Sequence, residues 1–187
     1  MLILTVDLAA KFSAAMVTDK DGKVHFEFDS LGLSAFQFAS KLKDAIVQFK
    51  VGFIIIEDVP YGISSQAMVK PVLRTQGIII RELMEYLDKI YFVNPSTWQK
   101  EYRGVARGKP AERVEAAELH ATRLGYTAPD LVGEYIKSLP EGTRVLKKNT
   151  NPLEKVRTDY VDARLMGDWS HNRNGDFNIS GVQPVFI

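Results

Sequence analysis

The chain has 187 residues, 45% hydrophobic and 25% charged, enough to bury one sizeable core and somewhat short for two. Its 24 lysines and arginines against 23 acids leave a net charge of +1, so no global positive field announces nucleic acid and any basic surface must be local. Cysteine is absent, which excludes disulfides, thiol catalysis and thiolate zinc sites, and the opening MLILTVDL has neither a basic leader nor an apolar run of membrane-spanning length. A single domain over 1–187, away from membranes and in the cytoplasm, is the expectation.

In chain order, residues 2 to 7 read as a buried strand, and Ala14 to Val17 and Lys23 to Phe28 as two more joined through the tight-turn chemistry of Asp19-Lys20-Asp21-Gly22. Ser34 can cap a helix in which Phe38, Leu42, Ala45, Ile46 and Phe49 recur at helical spacing, and residues 52 to 57 return to a strand. A long helix runs from Ser64 or Ser65 to about Asp88, with Pro71 in its first turns or kinking it. Ile90 to Val93 is a strand, and Asn94-Pro95-Ser96 starts a short helix in which Trp98 and Tyr102 have core spacing. Helices follow over about Pro110 to Leu124, Pro129 to Leu139 and Leu153 to Trp169; the segment from Leu139 to Pro152 reads as polar and irregular, and the tail from about 170 as irregular. Strands and helices in this mixed order suit an α/β fold, one sheet flanked by helices.

Four acids fall at positions such a fold can bring together. Asp7 and Glu57 close apolar strands, where open α/β sheets commonly place a ligand crevice. Asp159 and Asp162 lie three apart on a helix and face the same way. Any one acid at a strand end is more often a solvated cap or an ion-pair partner. If the helix face packs over the strand ends, all four converge, and like charges so gathered are held most readily by hard cations such as Mg²⁺ or Mn²⁺. Two such ions about 3.5 to 4 Å apart would clamp a phosphodiester. Asp58 competes with Glu57, but adjacent strand residues point to opposite faces, so only one of them can serve.

The order LTVDLAAKFSAAMV, FIIIEDVPYG, NPSTWQKEYRG with a basic stretch, then TDYVDA resembles the RuvC family of Holliday-junction resolvases in the ribonuclease H-like superfamily, over nearly the whole chain to about residue 169. Leu8-Ala9-Ala10 stands where bacterial members have Pro-Gly after the first acid, so the resemblance is to a divergent, phage-like member, located in the host cytoplasm if phage-encoded. It implies a mixed five-stranded sheet flanked by helices, a homodimer, and paired nicking of four-way DNA junctions with two Mg²⁺ per site, Mn²⁺ substituting, and against the family's usual connection the segment at about 125–151 reads as inserted. It also selects Glu57 over Asp58 and implies Asp7, Glu57, Asp159 and Asp162 as metal-binding catalytic residues.

Nucleic-acid contacts are expected from Lys11 and from Lys100, Arg103, Arg107, Lys109 and Arg113, where Gly104 and Gly108 permit close approach to a phosphate backbone; a solvated loop is the competing reading. Tyr61 lies where the resembled family places a junction-wedging aromatic, and buried packing competes with that role; Phe12 has a lesser claim. Arg144, Lys147, Lys148, Lys155 and Arg157 form a second basic group near the late acids. His25, His120 and His171 are scattered, and Ser64 and Ser65 read as helix caps rather than nucleophiles. A broader nuclease for flaps, forks or other branched DNA, and a non-catalytic DNA-binding protein of the same fold, are the competing functions.

Overall fold

The computed structural model describes residues 1–9, 12–59, 66–102, 108–174, 176–178 and 180–185, with 66–68 described for backbone alone. Strand β1 (Ile3–Leu8) is buried at every position because it lies inside the sheet, with β2 (Ser13–Thr18) antiparallel on one side and β4 (Phe53–Glu57) parallel on the other. Strand β3 (Val24–Asp29) pairs outside β2, β5 (Ile90–Val93) lies parallel to β4, and β6 (Val182–Pro184) closes the order β3-β2-β1-β4-β5-β6. The β2–β3 turn forms because Asp19 Oδ1 accepts from the amides of Asp21 and Lys23, while Gly22 takes φ +78°, which a side chain would disfavour.

Strand parity divides the core into two layers. Leu4, Val6, Ala15, Val17, Ile54 and Ile56 face helix α1 (Ala35–Phe49) and helix α2 (Gln66–Glu82). Ile3, Ala14, Met16, Ile55 and Val93 face α6 (Lys147–His171) and α4 (Pro110–Arg123). Helix α1 starts where the sequence predicts: Ser34 Oγ accepts from Gln37 N at 3.3 Å, and Gln37 Oε1 accepts from Ser34 N at 2.8 Å. Short helix α3 (Pro95–Gln99) follows β5, and α5 (Leu131–Ser138) falls within the predicted inserted segment.

Three expectations need correction. The sheet has six strands rather than five, because the tail is not wholly irregular: Phe177 packs on Tyr91 at 4.8 Å and Phe53 at 5.3 Å between ring centres, and the chain then pairs Val182 with Val93. Helix α6 begins at Lys147 rather than about Leu153, since Pro152 removes only one backbone donor close to an end where several are unpaired in any case. The predicted long helix stops at Glu82 and continues as a 3₁₀ segment over Met84–Lys89; Ser64 and Ser65 lie outside the described residues.

Helix α6 carries no single apolar stripe, because its second half is surrounded: Val156, Tyr160, Val161, Ala163, Leu165, Met166 and Trp169 are all buried. Two contacts press it onto the sheet. Thr5 Oγ1 on β1 donates to Ala163 O at 2.9 Å, and Gly167 lies so close that a Cβ there would stand 2.9 Å from Thr18 Oγ1. Among the described residues no helix is long and apolar enough to cross a membrane.

Thr5→Val keeps the side-chain shape and deletes the hydroxyl that ties β1 to α6. A loss of about 1 kcal/mol of unfolding free energy is expected in denaturant melts; an unchanged midpoint would mean the contact adds nothing to the docking of α6.

Candidate active site

The parity that divides the core also aims the acids. Asp7 follows Ile3 and Thr5 on the α6 side of β1, and Glu57 follows Phe53 and Ile55 on the same side of β4. The parallel register runs through Val6 and Ile56, so the next residues, Asp7 and Glu57, stand side by side on strands about 4.8 Å apart. Asp58 points the other way, where its Oδ1 accepts from Val59 N at 2.8 Å and from Gln76 Nε2 at 3.2 Å. Among the described residues its side-chain partner is therefore an amide of α2.

Helix α6 brings Asp159 and Asp162 over these strand ends. Asp7 and Asp159 are buried at 5% and 6% exposure, while Glu57 and Asp162 are half-buried. Asp7 is the electrostatic centre of the group, because its charge raises the carboxyl pKa of each of the other three. Burial raises Asp7 itself, opposed by a side-chain hydrogen bond with Glu57 and by the charge of Lys155. Burial, then Asp7, pushes Glu57 and Asp162 well above the usual carboxylate range, with Trp98 pulling the first down and Arg113 the second. Asp159 is pushed from 3.8 up to about 9, by burial first and Asp7 second, against the charge of Lys155.

An all-oxygen donor set suits a hard divalent cation. One buried acceptor, Asp159 Oδ2, has no hydrogen-bond partner among the described residues. Unmatched buried acceptors are unfavourable in a folded chain, and this one faces neighbours that are themselves acceptors once ionised. Among the described residues no three His, Asp or Glu side chains stand in finished metal-ligand geometry. The carboxyl groups instead lie close enough for the charge of Asp7 to act on each of the other three, which together with burial favours their protonated forms. A carboxylate pocket that holds protons in this way can exchange them for a cation.

Sequence reasoning missed two neighbours. Trp98, read as core, is fully buried, yet its Nε1 donates to Glu57 Oε1 at 3.4 Å. Asp29 ends β3 in the same transverse row, across Ala14 from Asp7; its Oδ2 accepts from Tyr160 OH at 2.9 Å, and its charge reaches Asp159. Strand parity counted through the hairpin would have found Asp29. No local signal marks Trp98, since its partner lies 41 positions away in sequence.

The expected DNA contacts divide. Arg113 lines a cavity of ≈200 Å³ together with Gln99, Val114, Thr158 and Asp162, at the edge of the acid cluster. Lys100 ends α3 and Lys109 caps α4, both exposed; the Lys109 amide donates to Glu112 Oε2 at 2.9 Å. Lys11, Tyr61, Arg103 and Arg107 lie outside the described residues. Phe12 packs against the core on the α6 side rather than standing free. In the second basic group Arg144, Lys147, Lys148 and Lys155 are exposed, and Arg157 pairs with Glu118 at 3.1 Å. His171 is held by Thr18 at the opposite end of β2 from the acids, His25 pairs with Asp19, and His120 lies edge-on to Tyr102, so none joins the cluster.

No protein-family model and no curated protein matches this sequence. Among solved structures the chain is similar to Thermus thermophilus RuvC, with a TM-score of 0.59 and 12% identity over 99% of this chain and 100% of that one. It is similar also to T. thermophilus RuvC in complex with Holliday junction substrate, with a TM-score of 0.58 and 10% identity over 94% of this chain and 97% of that one. At these identities the likeness is one of fold, and the chain has the ribonuclease H-like α/β fold of RuvC, a mixed six-stranded sheet with helices on both faces.

Proposed function

We propose that this chain is a divalent-metal-dependent endonuclease that cuts branched DNA, with four-way junctions as its preferred substrate, and that it works as a homodimer. The observation that carries the reading is the group Asp7, Glu57, Asp159 and Asp162, supplied by two adjacent strands and one helix face and each shifted toward the protonated form by burial. Such a group is unfavourable to build for stability alone. The fold supports the substrate class, because a protein of this fold has been solved with a Holliday junction bound.

In this reading Asp7, Glu57, Asp159 and Asp162 hold Mg²⁺, with Mn²⁺ able to replace it. Two bound cations would supply charge neutralisation and Lewis acidity for phosphodiester hydrolysis, leaving a 5′-phosphate and a 3′-hydroxyl. The four carboxyl groups must first give up their protons, and Lys155 and Arg113 favour the ionised forms of Asp7, Asp159 and Asp162. Lys100, Lys109 and Arg113, with Lys11, Arg103 and Arg107, contact backbone phosphates, and Tyr61 stacks on an unpaired base. Two-fold symmetry of a homodimer would present two such sites to a four-way junction. Ile79 of α2 and Leu83 just beyond it are fully buried, so among the described residues the apolar surface left for pairing on this face is Leu73 of α2 and Met84 of the 3₁₀ segment with Phe36 and Val47 of α1, each about half exposed.

Asp7→Asn and Asp159→Asn are each expected to lower Mg²⁺-dependent junction cleavage by at least about 100-fold while leaving the protein folded. Full activity in either variant sinks the site assignment. Rates on flaps and forks equal to those on four-way junctions would replace the junction reading with a general branched-DNA nuclease, and a monomer by light scattering at working concentration would remove paired nicking.

Protons and metal are expected to compete. Because folding raises the Asp159 pKa from 3.8 to about 9, the folded state holds more protons than the unfolded state across that window. The stability from this group is fully present below about pH 4 and is lost as pH rises toward about 9. In chelator, the melting temperature should therefore fall with rising pH, and saturating Mg²⁺ should raise it more at pH 9 than at pH 6. Asp159→Asn should flatten both trends; an Mg²⁺ response independent of pH would argue against a cation in this pocket.

A further inference from the structure

We propose that Trp98 is a positioning residue for the carboxylate of Glu57, fixing one of its oxygens through the indole N–H so that the side chain is presented to a divalent cation. This rests on the metal-dependent reading above.

The chain builds the contact from rigid parts. Strand β5 lies beside β4 with Val93 opposite Glu57, and Asp58 N donates to Val93 O at 2.9 Å, so the two strand ends are tied. Asn94 then caps α3 through Oδ1, which accepts from Ser96 N at 3.0 Å, and Pro95 occupies the first helical position. One turn on, Trp98 has no exposed surface and its Nε1 reaches Glu57 Oε1 at 3.4 Å. Tyr102 extends the brace to the helix that carries the other acids, its hydroxyl donating to Leu165 O at 2.8 Å and lying 3.0 Å from Asp168 Oδ2. Trp98 and Tyr102 meet edge to face, with ring centres 6.3 Å apart.

A core tryptophan that merely satisfies its own N–H is the plainer alternative. Trp169 argues against it. That residue is also fully buried, with the Arg173 guanidinium 4.3 Å from its ring centre, yet its Nε1 has no partner among the described residues, so this core accepts an indole whose N–H is not satisfied. At Trp98 the donor is aimed at one of the four acids. An indole N–H can only donate, so it favours the ionised carboxylate that a cation needs over the protonated acid.

Trp98→Phe keeps an aromatic ring and removes the donor; Trp169→Phe is the matched control for lost core volume. The Mg²⁺ dependence of melting temperature and of junction cleavage is measured in both. Trp98→Phe is expected to raise the half-saturating Mg²⁺ concentration about 10-fold or more in both readouts, and Trp169→Phe less than about twofold, whatever each does to the metal-free melting temperature. In wild-type protein, ¹⁵N-labelled indole resonances, assigned with Trp169→Phe, provide a second readout that does not depend on Trp98→Phe folding. Mg²⁺ should move the resonance retained in Trp169→Phe and leave the other in place. A wild type that binds Mg²⁺ and cuts junctions, with a Trp98→Phe half-saturation matching it or a Trp98 resonance indifferent to Mg²⁺, overturns the positioning role alone. A wild type that neither binds Mg²⁺ nor cuts overturns the function on which it rests.

Discussion

Like charges in a shared, poorly hydrated pocket repel, and the geometry around Asp7 is organised to tolerate that repulsion. Asp7 is almost wholly buried in the middle of the sheet, and its charge bears on Glu57, Asp159 and Asp162 alike. Nothing in the hydrophobic core requires an acid there; a strand ending in valine would pack as well. The surrounding structure instead holds the acids at fixed distances. Thr5, two residues before Asp7 on the same face, anchors α6 through Ala163 O, and Gly167 lets the helix settle against Thr18. With a side chain at Gly167 the helix would stand further from the sheet, and Asp159 and Asp162 would rise with it. Close packing at residues that touch no substrate therefore sets the spacing of residues that would.

The same row of the sheet shows why the group contains these acids and no more. Asp29, Ala14, Asp7, Glu57 and Val93 are aligned across five strands. Asp29 is separated from Asp7 by a strand, so by roughly 10 Å, and its carboxylate is already occupied by the Tyr160 hydroxyl. Two residues earlier on that strand, Glu27 accepts from Tyr126 OH at 2.8 Å. Each β3 acid thus has a phenolic donor, whereas Asp159 Oδ2 has none. The β3 acids are satisfied by phenolic hydroxyls, whereas of the inner four Glu57 accepts from the Trp98 indole and Asp159 Oδ2 has no partner among the described residues.

Much of this was legible in sequence because period-two alternation is a strong constraint. Once residues 52 to 57 are a strand, Glu57 and Asp58 must take opposite faces; which of the two shares a face with Asp7 depends on the register, which alternation does not set and which pairs Val6 with Ile56. Spacing of three on a helix puts Asp159 and Asp162 on one face. What stayed hidden depends on contacts distant in the chain. Strand β6 has only three residues, and its apolar character becomes visible only when Phe177 meets Tyr91 and Phe53. The start of α6 was displaced because Pro152 reads as a boundary, although it falls early enough in the helix to be accommodated. Trp98 read as core and is core; that its N–H also faces Glu57 follows from β5 lying beside β4, a fact of topology with no local trace.

Access to the acids is asymmetric, and the asymmetry matches the division of charge. Sheet and α6 close over Asp7 and Asp159, while Asp162 opens onto the ≈200 Å³ cavity beside Arg113, Gln99 and Thr158. Thr158 and Val114 continue its wall into a wider groove between α4 and α6, where Lys155 and Arg157 stand among Glu115, Glu118 and Glu154. A polyanion approaching from this side meets mixed charge rather than a basic channel. Long-range attraction along the groove is accordingly weak, consistent with the near-neutral whole chain. Binding there would rely on short-range contacts, with Arg113 at the mouth of the pocket and Lys155 one helical turn before Asp159. For a chain with this charge balance, selectivity would come from the shape and geometry of what reaches the acids more than from attraction to any phosphate backbone.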